Sequence, residues 1–175
     1  MTDIDTLKQR YFVQSSDASE SEDNKITTFV DGKNYFEDLH QKINNLGSNP
    51  DEEFCYVNAW GLQQNFEIDN SGTKLVDLLK DKAKTDVDVR VMGWFSPKIF
   101  MKLSGVGGRI NNFQKINVET AKTINELRSE PKLEKKCCLN ALGHAAGSVH
   151  AKLVLVGDDT RTVAQRFDIG SMPPV

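Results

Sequence analysis

From Lys25 onward the apolar positions recur in two periods, and each period predicts an element. Residues 26–30 fit a short strand, and Asp31-Gly32 fits a turn. Tyr35, Phe36, Leu39, Ile43 and Leu46 then fall on one helical stripe, with Gly47 as the stop. Residues 54–60, Phe-Cys-Tyr-Val-Asn-Ala-Trp, predict a buried strand. Residues 72–84 predict a second helix carrying Leu75, Val76, Leu78 and Leu79. Residues 86–92 alternate, with Val87, Val89 and Val91 on one face, and predict a strand. A short helix over 97–103, a glycine-rich loop over 104–112, a helix over 118–127 and strands over 137–142 and 149–156 follow. Strand, helix and strand recur within about 40 residues, which is the βαβ signature. The expected fold is α/β, with a mixed, largely parallel sheet flanked by helices.

Composition narrows the class. The 175 residues are 38% hydrophobic and 27% charged, as in an ordinary globular domain. No apolar run approaches the roughly 18 residues of a membrane span. The first residues are acidic, unlike a secretory leader. Three cysteines, two of them adjacent at Cys137 and Cys138, make no disulfide framework. With no C-x-x-C, no zinc site is expected either, and the expected setting is cytoplasmic. Residues 14–24 contain no large apolar side chain, so residues 1–25 form an acidic, flexible segment ahead of a domain over 26–175.

Charge separates the two parts. Residues 1–24 hold six acids and two bases, leaving the remaining chain close to neutral. Binding of long nucleic acid draws on a basic excess, so it is disfavoured. Gly105-Val-Gly-Gly108 lacks the Lys-Ser/Thr ending of a phosphate-binding loop and reads as a plain loop. Lys132, Lys135 and Lys136 read as a solvated edge.

The sharpest chemical feature is Gly147-Ser148-Val149-His150-Ala151-Lys152, followed by four aliphatic residues. On a strand, His150 and Lys152 point the same way, roughly 7 Å apart at the backbone. An imidazole there can attack phosphorus while the ammonium neutralises phosphoryl oxygens. A second His-x-Lys, His40-Gln41-Lys42, lies inside the first helix. Positions two apart on a helix diverge, so that pair cannot converge on one phosphate. His144 reads as a loop residue near the site. Trp60 and Trp94 each stand at a strand's end, suited to packing at a pocket rim or to substrate stacking.

This Gly-Ser-x-His-x-Lys run resembles the phospholipase D superfamily. The likeness extends over about residues 27–171, through Tyr56-Val-Asn-Ala-Trp60 and Val87-Asp-Val-Arg-Val-Met92-Gly-Trp94, and is that of the N-terminal lobe of a two-lobed member. The resemblance implies a phosphodiesterase that uses a phosphohistidine and neither cofactor nor metal. His150 would be one of a histidine pair and Lys152 a phosphate clamp. Ser148, Gly170, Ser171 and Trp60 would line the substrate, with Asp158 and Asp159 behind them. The partners implied are a phospholipid or other phosphodiester substrate, and a second His-x-Lys lobe in cis or in a homodimer. The sequence departs from the pattern at Gly157, where an acid is usual, with Asp158 and Asp159 one and two places later. It departs again at Pro173, where asparagine would stand, and it stops at Val175, so the lobe is expected to be incomplete. The alternatives are a nuclease of the same superfamily and a non-catalytic module that binds phosphate or a partner.

Overall fold

The computed structural model describes residues 27–95, 109–141, 152–158 and 161–166. The chain divides into two units, Met1–Val30 and Asp31–Val175. In the first, residues 27–30 are neither helix nor strand, in contrast to the strand expected there.

The second unit begins with helix α1, Gly32–Asn44. Asp31 caps it by accepting a 3.0 Å hydrogen bond from the Asn34 amide, so the expected Asp-Gly turn is a helix start. Tyr35, Leu39 and Ile43 face inward as their spacing predicts. Gly47, at φ +108, completes the exit. Strand β1, Phe54–Ala59, follows. Helix α2 spans Leu75–Lys84. It starts three residues later than expected because the chain before it is tied elsewhere: Ile68 N–H donates to Thr73 O and Leu75 N–H to Phe66 O. Strand β2 is Asp88–Trp94, helix α3 Arg109–Arg128 and strand β3 Cys137–Asn140. Strands β4, Leu153–Asp158, and β5, Arg161–Arg166, complete the sheet.

Helix α3 begins inside the expected loop. The glycines end at Gly108, one residue before it. Its inward face is partly polar, with Asn117, Thr120 and Thr123 buried beside Ile124 and Leu127. An apolar stripe therefore marks only its second half.

The five strands lie in the order β3-β2-β1-β4-β5. β1 pairs with β2 and β2 with β3 in parallel, whereas β4 runs antiparallel to both β1 and β5. Two of the four pairings are parallel, so the sheet is evenly mixed, not largely parallel. Both parallel connections step the same way across the sheet. Right-handed crossovers in one direction place their helices on one face. α2 accordingly packs against both α1 and α3.

That face carries Cys55, Val57, Val89, Val91, Cys137 and Val156, all buried. The opposite face carries Phe54, Tyr56, Asn58, Met92, Leu153 and Leu155, each half-buried, and exposed Arg90. β1 therefore alternates between faces instead of being buried throughout. No described helix is long and apolar enough to cross a membrane.

Candidate functional site at the carboxyl edge of the sheet

Because β4 runs against β1, its amino end meets the carboxyl ends of the three parallel strands. Leu153 opens β4 opposite Asn58. Lys152 immediately precedes it, level with the residues that end β1, and is half-buried. Trp60 follows β1, Trp94 ends β2, and Asn140 ends β3 opposite Trp94. Phe95 N–H closes this edge by donating to Asn140 O at 3.0 Å. Residues 60, 94, 140 and 152 thus come to one edge. In open α/β sheets the crevice outside the carboxyl ends is where ligands bind.

The two indoles stack, with ring centroids 5.8 Å apart and planes 19° from parallel. Trp60 is half-buried and Trp94 is 6% exposed. The Trp94 indole N–H has no hydrogen-bond partner among the described residues. Residue type pointed to each indole separately, but their stacking was not legible in the sequence. The two are distant in the chain and meet only because β1 and β2 are neighbours.

Of the other residues expected at the site, His150, Ser148, Asp159, Gly170 and Ser171 lie outside the described residues, as does His144. The Asp158 backbone ends β4, at the edge opposite Lys152 and roughly 20 Å from it at the rise of a strand. The glycine-rich stretch Gly105–Gly108 and residues 97–103 also lie outside the described residues.

The helical His-x-Lys is placed as its period predicts. His40 sits on α1 with Nδ1 2.8 Å from Asp69 Oδ2. Lys42 turns instead to Asp38 on its own helix. Asp69 lies in the α2 approach loop, where it accepts bonds from Ser71 N, Ser71 Oγ and Thr73 N. Loss of solvent pushes its carboxyl upward, but these bonds and His40 outweigh that, and the carboxyl is held below its ordinary value. The His40–Asp69 pair fastens α1 to that loop, while Lys42 is engaged along its own helix.

A second charged cluster occupies the opposite edge, on the face that carries Tyr56 and Arg90. Asp88 Oδ2 accepts from Tyr56 Oη at 2.7 Å and Arg90 Nε at 3.0 Å, and Oδ1 from Lys136 Nζ at 2.8 Å. Arg90 also lies over the Tyr56 ring, 5.0 Å from its centroid. Partial burial favours the neutral acid, yet the three donors overcome it and hold Asp88 at about 2. Lys132 bonds Asp86 and the Lys84 carbonyl. Lys132 and Lys136 of the basic cluster thus serve as ties at the starts of strands.

Among the described residues no group of three or more histidine, cysteine or acidic side chains could hold a metal ion. No protein-family model matches the chain, and no curated protein matches it.

Proposed function

We propose that the chain is one lobe of a phospholipase D-type phosphodiesterase, hydrolysing or transferring phosphodiesters, with phospholipid head groups preferred. The observation that carries this reading is Gly147-Ser148-Val149-His150-Ala151-Lys152 leading directly into β4 at the carboxyl edge of the sheet. A strand continued back from Leu153 would turn His150 and Lys152 to the same side. A neutral imidazole attacks phosphorus, and the bond to the leaving alcohol's oxygen breaks. A second, protonated imidazole gives that oxygen its proton. Water then attacks the phosphohistidine and passes a proton back to the second imidazole. The phosphorus–nitrogen bond breaks, the phosphate monoester leaves, and both imidazoles are restored. His150 is one of this pair, and Lys152 clamps the phosphoryl oxygens. The second imidazole comes from another His-x-Lys lobe, in cis or in a twin chain across a two-fold axis. Free thiols at Cys55, Cys137 and Cys138 support a reducing, cytoplasmic setting.

The test is turnover of bis(p-nitrophenyl) phosphate and of phosphatidylcholine in mixed micelles, over a dilution series of the chain. His150→Ala and Lys152→Ala are expected to abolish turnover in folded protein. His40→Ala and added EDTA are expected to leave it unchanged. Activity lost with His40 and kept without His150 would overturn the assignment. So would activity abolished by chelation and restored by one divalent ion. Specific activity constant through a strictly monomeric range would overturn the paired-lobe requirement.

A further inference from the structure

We infer that Thr120 is a positioning residue of this carboxyl edge: it fixes the loop that leaves Trp60 and thereby sets the Trp60–Trp94 indole pair. The inference rests on the phosphodiesterase reading for its catalytic consequence, whereas its geometry stands apart from that reading.

Leu62 lies two residues beyond Trp60. Its N–H donates to Thr120 Oγ1 at 3.1 Å in a buried setting. Its carbonyl accepts from Thr123 Oγ1 at 3.3 Å. Thr120 and Thr123 are one helical turn apart on the inner face of α3, and both are buried. The Leu62 N–H is therefore satisfied by a side chain 58 residues away in sequence, while the single proton of the Thr123 hydroxyl is shared between the Glu119 carbonyl of its own helix, at 2.8 Å, and the Leu62 carbonyl. A loop leaving a strand without such ties would turn its backbone to water.

The same helix also meets the chain immediately before the other indole. A Cβ on Gly93, immediately before Trp94, would stand 2.6 Å from Thr120 Cγ2. A Cβ on Gly61, immediately after Trp60, would stand 3.1 Å from Ile116 Cγ2. α3 thus meets the chain at one glycine beside each tryptophan, and Thr120 touches both sides. Oγ1 holds the Trp60 loop, and Cγ2 fills the space over Gly93. A valine in place of Thr120 would keep the branched shape, but it would leave the Leu62 N–H buried without its partner.

The chain contains two tryptophans, so optical signals of indole report this stack alone. The experiment compares Thr120→Val, which keeps the branched shape and removes the hydroxyl, with Thr120→Ser, which keeps the hydroxyl. The readouts are the exciton couplet of the indole pair in far-UV circular dichroism, iodide quenching of indole emission, and kcat and KM for bis(p-nitrophenyl) phosphate. For Thr120→Val we expect a cooperative urea transition, a couplet reduced by about half or more, faster quenching, and KM raised about tenfold with kcat little changed. Thr120→Ser is expected to retain the couplet and the wild-type KM. Should Thr120→Val not fold, Gly61→Ala displaces the same loop with the hydrogen bonds in place, and the same couplet loss is expected. An unchanged couplet in a folded Thr120→Val or Gly61→Ala protein overturns the inference. So does a Thr120→Ser protein as impaired as Thr120→Val, or a lost couplet with unchanged KM. If the wild-type chain by itself turns over no phosphodiester, the single-chain activity falls and with it the KM comparison, and couplet and quenching still decide whether Thr120 positions Trp60.

Discussion

Replacing Gly93 by alanine adds one methyl group where α3 crosses β2, and the structure sets the cost. The new Cβ would stand 2.6 Å from Thr120 Cγ2 and 3.4 Å from both Ile124 Cγ1 and Leu62 Cδ1. Carbon atoms rest at about 3.5–4.0 Å, so the overlap with Thr120 is about 1 Å. Thr120 cannot simply rotate away. Its branched side chain is restricted on a helix, and its Oγ1 holds the Leu62 N–H. Either α3 lifts from the sheet, which overpacking places at about 1–3 kcal/mol, or the hydroxyl swings off and leaves a buried N–H unpaired, at a similar cost. Gly93→Ala should therefore destabilise by about 2 kcal/mol. Thr120→Ser removes the opposing methyl and should cost about 1 kcal/mol alone. In the double variant the methyl added at position 93 enters the space that Cγ2 vacated, so the combined loss should fall short of the sum by about 1 kcal/mol or more. Urea unfolding followed by circular dichroism of the helices measures each corner of this cycle, provided the slope stays constant. Losses that add to within about 0.5 kcal/mol would show that the two groups do not meet, and would refute the closeness of α3 to β2.

The Asp88 cluster predicts a pH dependence of stability. Its carboxyl is held at about 2 in the fold, below its unfolded value of about 4. The contribution is therefore present above about pH 4 and is lost as pH falls toward 2. Solvent screens the cluster, so Asp88→Asn should cost about 1 kcal/mol at neutral pH, with the difference from wild type shrinking as pH falls from about 4 through about 2; a gap undiminished at about pH 2 would refute it. The thiols make a separate prediction. Burial pushes Cys55 up to about 12 and, as the largest influence there, Cys137 up to about 11, whereas Cys138 is exposed. Ellman's reagent should titrate one thiol rapidly in the native protein and three in urea, and rapid reaction of two or more in the native state would place a buried cysteine at the surface.

The local elements were legible because each rests on a short-range period. Tyr35, Leu39 and Ile43 announce α1, and Val89 and Val91 announce β2, since the burial of a face imposes spacing on the residues that form it. The same period separated the two His-x-Lys pairs: His40 and Lys42 on a helix do take different partners. The candidate edge was legible only in part. Lys152, Trp60 and Trp94 stood out by residue type, whereas Thr120 and Asn140 carried no signal in the chain. Thr120 was hidden because it lies inward while being polar, and the first half of α3 was missed for the same reason. What the tertiary structure alone decided is which distant segments meet. β4 takes its place antiparallel to β1, β5 extends the sheet, and Leu62 finds Thr120 across 58 residues. Such pairings have no period along the sequence. They are selected by burying one face of the sheet and satisfying the backbone groups buried with it.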